Sequence, residues 1–339
     1  MEDKAVAEKR EYLFDNIKGF IIFLVVWEHF AGVTIRSGSL AGDLLCTAVL
    51  LFHMSVMMFV SGYFSKNLGR RNMEYNIRKV LIPYMLITVL VALGEWVVSG
   101  RLRLKIFSPG FALWYMLVLF LFRMLLPYLT RVRHVILLSF LVALLSGMFP
   151  DVERFSTLGR AFTNLPFFLL GYYCSGEHVE KLRNWMKRPE RIIYTTAFVI
   201  LTFGSAGMAI QNDWDANVYR NNTTYAAAGM SNLLGMECRL LFYLIGCFAI
   251  LCFLACFSRK RTFLSRAGKN SMVVYFFHIF VYRLIDHIPY ISGGSLLNFI
   301  LVTLLSAATV WLLSMDIWSK IFHIVVNFLG DFCFGKQKS

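Results

Sequence analysis

Long apolar runs alternate with short polar stretches along the whole chain. A helix that crosses a bilayer needs about 20 mainly apolar residues. Runs of that kind predict spans near 17–35, 41–65, 79–98, 112–130, 134–150, 161–176, 191–211, 233–257, 271–290 and 296–328. The sixth is short and the tenth is long. The pattern reads as all-α: a polytopic membrane helix bundle of about ten transmembrane helices. No linker separates two units, so residues 1–339 read as a single integral membrane domain.

Charge fixes the expected orientation. Loop 66–79 carries Lys66, Arg70, Arg71, Arg78 and Lys79; loop 181–191 carries Lys181, Arg183, Lys187, Arg188 and Arg191; loop 259–269 carries Arg259, Lys260, Arg261, Arg266 and Lys269. Alternate loops are poorer, with Arg36 in 36–40, Arg154 and Arg160 in 151–160, and Arg220 in 212–232. Positive loops stay cytoplasmic, so the N-terminus is expected inside, and an even number of spans brings Lys336 and Lys338 inside too. Loop 99–111 breaks the pattern, because Arg101, Arg103 and Lys105 fall on the outer side.

Composition agrees. The chain is 58% hydrophobic and 16% charged, against about 45–50% and 25% for soluble domains. Its net charge of +14 lies in clusters between apolar runs. That suits anionic lipid headgroups and a cell-membrane location; no soluble basic face with stacking aromatics points to nucleic acid. The cysteines Cys46, Cys174, Cys238, Cys247, Cys252, Cys256 and Cys333 form no CxxC pair, and they read as small buried hydrophobes, with no metal or disulfide role expected. No cleavable signal peptide is expected, since no small-residue cleavage pattern follows the first apolar run.

Ionisable groups inside hydrocarbon are costly and mark candidate sites. The first span contains DNIKGFIIFLVVWEHF, with Asp15 and Lys18 at its cytoplasmic mouth and His29 deeper. Eleven residues separate Lys18 from His29, which puts them within about 20° on one helix face and roughly 16 Å apart. Asp15 falls within about 40° of that face. Two readings fit the spacing. A thioester entering from the cytoplasm needs a cation for its phosphates and a base beside its carbonyl. Equally, a bundle histidine can simply hydrogen-bond while Lys18 reaches the headgroups. Glu28 points about 100° away from His29 on the helix, so the two are not expected to pair.

This stripe resembles the acyltransferase-3 family of integral membrane acyltransferases, in particular its fucose 4-O-acetylase-like branch. The family pattern is a basic residue, ten residues, then histidine, which Lys18 and His29 satisfy; many members carry arginine at the first position. FHMSVMMFVSGYF with His53, Ser61 and Gly62, RKVLIPY with Arg78, Lys79 and Pro83, LWYM at Leu113–Met116, Arg160 followed by LPFFLLGYY, and SMVVYFFH with Tyr275 and His278 are also similar to family segments, in the expected order. The resemblance implies an acyltransferase with acetyl-coenzyme A as donor, no tightly bound cofactor, and a carbohydrate or lipid-linked glycan as acceptor.

On this reading His29 is the general base, with Lys18 and Asp15 beside it on the catalytic stripe. Lys18, Arg78, Lys79, Arg70 and Arg71 are expected to hold the donor phosphates. His53, Ser61, Trp114, Arg160, Tyr275 and His278 are the candidate substrate residues. No serine or cysteine nucleophile is identifiable beside His29, although Ser61 from another helix could approach it. Loop 212–232 offers Trp214, Tyr219, Tyr225, Asp213, Asp215 and Asn217 for sugar contacts, or reads as a solvated loop with interfacial aromatics; it also holds Asn-x-Thr sequons at Asn221 and Asn222. Glu237 with Arg239, Arg283 with Asp286, and Asp316 with Lys320 read as bundle-internal or interfacial charges, the last two spaced to pair along a helix. The competing function is a non-catalytic glycan or small-solute transporter, disfavoured because no two corresponding halves appear; a membrane sensor or anchor would not need His29 in register with Lys18.

Overall fold

In lipid every backbone N–H and C=O must be satisfied within the chain, which leaves helices as the spanning form for a sequence without strand-length alternation. The computed structural model describes residues 12–35, 39–66, 73–107, 110–150, 156–220, 222–285, 288 and 293–335, and these residues contain helices and no strand. The helices are α1 Leu13–Thr34, α2 Leu40–Leu50, α3 His53–Tyr63 and α4 Met73–Ser99. There follow α5 Trp114–Leu129, α6 Val135–Ser146, α7 Ser156–Tyr173, α8 Gly176–Trp185 and α9 Arg188–Gln211. The chain ends with α10 Asn232–Cys256, α11 Leu264–Lys269, α12 Ser271–Ile285, α13 Leu296–Leu313 and α14 Asp316–Phe334. Among the described residues, seven helical stretches are long and apolar enough to cross a membrane, and α5, α6 and α12 are shorter apolar helices. The molecule is a multi-pass integral membrane protein.

Small residues let the helices approach closely, the usual device where lipid removes the hydrophobic drive between them. Gly62 of α3 and Gly171 of α7 each sit against the other helix's backbone, so a Cβ at either would strike a carbonyl. The same holds for Gly19 of α1 and Gly268 of α11. Asn16 locks the second contact. Its Nδ2 donates to Ser258 O at 2.7 Å and Lys260 O at 2.9 Å, while its Oδ1 accepts from Thr262 and Ser265, each at 2.6 Å. The basic loop 259–269 is thereby fastened to the start of α1. Arg183 donates to Leu254 O and Phe257 O, and Arg259 pairs with Glu180, so loops 181–191 and 259–269 share one end of the bundle, the basic end.

Three sequence expectations change here. The tenth span does not run to 328; it breaks at Ser314–Met315, and α14 is a separate helix. Asp316 meets Lys269 at 3.3 Å and Asn270 Nδ2 at 3.0 Å, while Asp331 at the far end of α14 meets Arg78 at 2.8 Å. Both ends are therefore tied to the basic end, and Ile317, Ile321, Ile324 and Phe328 form an exposed apolar stripe along the helix. That is the build of a helix lying in an interface. Second, Asp316 hydrogen-bonds Lys269 and Asn270, with Lys320 contributing only as a nearby charge, because α11 and the residue after it pack against the start of α14. Third, Tyr225 of loop 212–232 is fully buried and structural. Its hydroxyl donates to Leu144 O at 2.8 Å, and its ring packs against Arg239 at 4.9 Å. Arg239, 1% exposed, donates to Ala143 O and Val218 O, each at 2.9 Å, and so fulfils its expected bundle-internal role.

Candidate active site

Two breaks in helical regularity fall at candidate positions. Residues 51–52 interrupt the second apolar run, so His53 opens α3 with Nδ1 2.7 Å from Val49 O. A π-helical turn at Ile77–Leu81 swells the start of α4 around Arg78 and Lys79. Such breaks recur at functional positions because they re-aim side chains without ending the helix.

A cavity of roughly 300 Å³ lies between the helices toward the end opposite the basic loops. Val25, Glu28 and His29 of α1 form one wall, and Leu50, His53 and Met54 another. Ala112, Trp114, Arg160, Asn164, Phe242 and Tyr275 close the sides; Asn217, Tyr219 and Asn222 come from loop 212–232. Five sequence candidates therefore converge on one space: His29, His53, Trp114, Arg160 and Tyr275. His278 stands directly behind, fully buried, its ring stacked on His29 with centroids 5.3 Å apart and planes inclined by 21°. Tyr282 meets the His29 ring edge-on at 6.4 Å.

Glu28 does meet His29, contrary to the expectation from helical spacing. Its Oε2 lies 3.5 Å from His29 Nδ1, and the carboxylate is 6% exposed. The two Cα–Cβ bonds do diverge by about 100°, but a glutamate has three rotatable bonds and its carboxylate turns back to its neighbour. The signal was present: an acid within an apolar span is a candidate by default. Asn164, Asn222 and Tyr282 were also passed over; they are ordinary residue types whose place on the site comes only from packing.

Arg160 is fixed on the cavity wall by its neighbours. Its guanidinium lies 5.1 Å over the Trp114 ring and its Nε donates to Asn222 Oδ1, while Asn164 donates to Arg160 O at 2.8 Å. Tyr275 donates its hydroxyl to Ala112 O and packs 5.3 Å from Tyr115. Tyr219, outside the spanning helices, has its phenol pushed well up by burial, with Cys238 adding to the effect, and so remains a hydrogen-bond donor.

Residues 11–315 match a known family described as an acyltransferase domain. The chain belongs to the acyltransferase-3 family. No curated protein and no solved structure matches it.

As an acyltransferase-3 protein the chain departs from several residue expectations. Ser61 does not line the cavity. Its hydroxyl donates to Met57 O at 2.8 Å and lies 2.6 Å from the Tyr115 hydroxyl; it is eight residues beyond His53, roughly 12 Å along the helix. Asp15 and Lys18 pair with each other at 3.0 Å, at the basic end. Asp15 stands about 21 Å of helix away from His29, too far for a part in the chemical step. It lines instead a cavity of roughly 230 Å³ with Tyr12, Arg261, Ser265, Arg266, Lys269 and Asp316. Arg78 also leaves the expected donor set, because all three guanidinium nitrogens serve the protein: Nε to Glu74 at 2.7 Å, Nη1 to Asp331 at 2.8 Å, Nη2 to Gly335 O at 2.6 Å. Lys79 differs from its neighbour. It lines a small cavity of roughly 120 Å³ with Arg123, Tyr115, Ser271, Met272 and Tyr275, among others. Tyr275 thus faces both this cavity and the one holding His29. Arg70 and Arg71 lie outside the described residues. In loop 212–232, Asn217 and Tyr219 reach the site, whereas Trp214, Asp213 and Asp215 do not line it.

Proposed function

We propose that this acyltransferase moves an acetyl group from cytoplasmic acetyl-coenzyme A to a hydroxyl of a carbohydrate or lipid-linked glycan at the outer face. The observation that carries the reading is the single cavity holding His29 against Glu28, with Arg160, Asn217, Tyr219 and Asn222 as polar walls toward the end opposite the basic loops. Aromatic Trp114 and the amides suit a polyhydroxylated acceptor. The cations at the other end, Lys18, Lys79, Arg261 and Arg266, suit a donor whose phosphates remain at the cytoplasmic surface.

A sugar hydroxyl is a poor nucleophile at neutral pH, and a positioned histidine is the usual remedy. Glu28 at Nδ1 favours the tautomer in which Nε2 carries the lone pair and can accept a proton. Nε2 takes the hydroxyl proton as the oxygen attacks the thioester carbonyl, forming the C–O bond. The tetrahedral intermediate collapses with loss of the C–S bond, and the imidazolium returns its proton to the departing thiolate. No protein nucleophile is needed, in keeping with Ser61 being turned to Tyr115.

The test is coenzyme A release by purified protein in vesicles, supplied with acetyl-coenzyme A and a panel of glycans. Glycan-dependent release with acetylated product supports the reading. Absence of release with every donor and acceptor, from correctly inserted protein, returns the transporter reading to first place.

A further inference from the structure

Segment 99–111 is the one stretch whose cations contradict the charge asymmetry of the other loops, and the structure shows where they go. The chain turns back at Gly100, whose φ of +67° is the left-handed cap that ends α4. It then runs along α4 without regular structure, and Tyr84, fully buried, donates its hydroxyl to Ile106 O. Tyr84 lies fifteen residues before Ser99, roughly 22 Å back along the helix. Segment 100–107 therefore folds back along α4, with Ile106 half-buried and Arg103, Lys105 and the rest of the segment exposed. Irregular backbone at membrane depth persists only where it is buried in protein or lines a water-filled cavity, and charges at that depth mark ligand paths.

A cavity of roughly 160 Å³ is present beside it, lined by Arg103 and Lys105 of the segment, by Thr88 and Glu95 of α4, and by Tyr282 and Arg283 of α12. At about 30 Å³ per water it has room for a single small anionic group with its hydration. Glu95 pairs with Arg283 at 2.6 Å, so three cations face one carboxylate. Tyr282 is the partition: it lines this cavity and touches the His29 ring from the other side.

We propose that the folded-back segment 100–107 forms an anion-binding vestibule, in which Arg103 and Lys105, with Arg283, hold a phosphate or carboxylate group of the acyl acceptor next to His29. This rests on the acyl-transfer reading and narrows the acceptor to an anionic one. Two other sources could present the same chemistry, an anionic lipid headgroup and the phosphates of the donor.

The test uses the full chain in phosphatidylcholine vesicles, with inorganic phosphate as probe and the thermal midpoint as readout. Wild type is compared with Arg103→Gln/Lys105→Gln and with Lys187→Gln/Arg188→Gln at the basic end, each against its own phosphate-free midpoint. A charged hydrogen bond contributes about 1.5–3 kcal/mol, so phosphate affinity falls about tenfold or more in the vestibule variant and stays near wild type in the other. The KM for acetyl-coenzyme A in the vestibule variant is expected to stay at the wild-type value. A wild type that shows no phosphate-dependent shift, or a loss confined to the basic-end variant, overturns the site. A KM for acetyl-coenzyme A that rises in step with the phosphate constant assigns the cations to the donor and overturns the acceptor assignment. Displacement of phosphate when phosphatidylglycerol enters the vesicles assigns them to a headgroup, with the same consequence. Phosphate binding needs no turnover, so a wild type that binds phosphate yet never consumes acetyl-coenzyme A refutes acyl transfer and leaves the anion site standing.

Discussion

The carboxylate of Glu28 and the imidazole of His29, adjacent in sequence and both on α1, face each other at 3.5 Å on the wall of one cavity. A carboxylate at one ring nitrogen orients the imidazole and stabilises the imidazolium that proton abstraction creates. Glu28→Gln is expected to lower kcat by about 10- to 100-fold, less than loss of the base itself. Glu28→Asp, keeping the charge on a shorter arm, should recover part of the rate. An unchanged kcat in Glu28→Gln would show that the contact is only packing.

His29→Ala is predicted to leave the protein folded and inserted while lowering turnover by at least about 100-fold. His53→Ala and His278→Ala should cost less, since His53 sits across the cavity and His278 supports the ring from behind. The comparison is single-turnover acyl transfer by each variant, with thermal midpoints as the folding control. Near wild-type rate in His29→Ala would remove general-base catalysis from the account.

Arg78 and Lys79 are neighbours with different partners, and their variants should separate. Arg78→Met breaks contacts to Glu74, Asp331 and Gly335 O, so a lowered thermal midpoint with unchanged KM for acetyl-coenzyme A is expected. Lys79→Met should do the reverse, raising that KM with little effect on the midpoint. Lys18→Ala should weaken donor binding, and Lys18→Arg should retain it. Parallel behaviour of the Arg78 and Lys79 variants would contradict the division.

The lie of α14 is open to a labelling test with a native thiol. Cys333 is exposed near its end, a short distance from Asp331 and its partner Arg78. In a Cys256→Ser background, an impermeant maleimide should reach Cys333 from the same side as loop 259–269. Labelling from the opposite side would mean that α14 crosses the membrane.

The basic Asn16-locked loop offers a last measurement. Asn16→Ala removes four hydrogen bonds to residues 258–265. Each contributes about 0.5–1.5 kcal/mol net, so a clearly lowered midpoint is expected, together with faster proteolysis within 258–269. Unaltered proteolysis would show that Gly19 and Gly268 packing holds the loop unaided.

Much of this protein is legible in its residues alone, wherever a property depends on local period. Apolar run length located the long apolar helices, because bilayer thickness and helical rise convert directly into residue counts. The eleven-residue spacing put Lys18 and His29 on one stripe, because helical geometry is fixed over that distance. The anomaly of Arg101, Arg103 and Lys105 was visible as a count, but not its cause: the turn at Gly100 is local, whereas the anchor at Tyr84 is tertiary. The tenth span failed for a related reason, since an apolar face buried against lipid and one lying along an interface have similar composition. The site was decided by packing. His29 meets His278 across helices 249 residues apart, Arg78 meets Asp331 instead of a ligand, and Glu28 reaches His29 through its rotamer. Inter-helix pairings carry no fixed sequence separation, and rotamers answer to neighbours that only the folded bundle supplies.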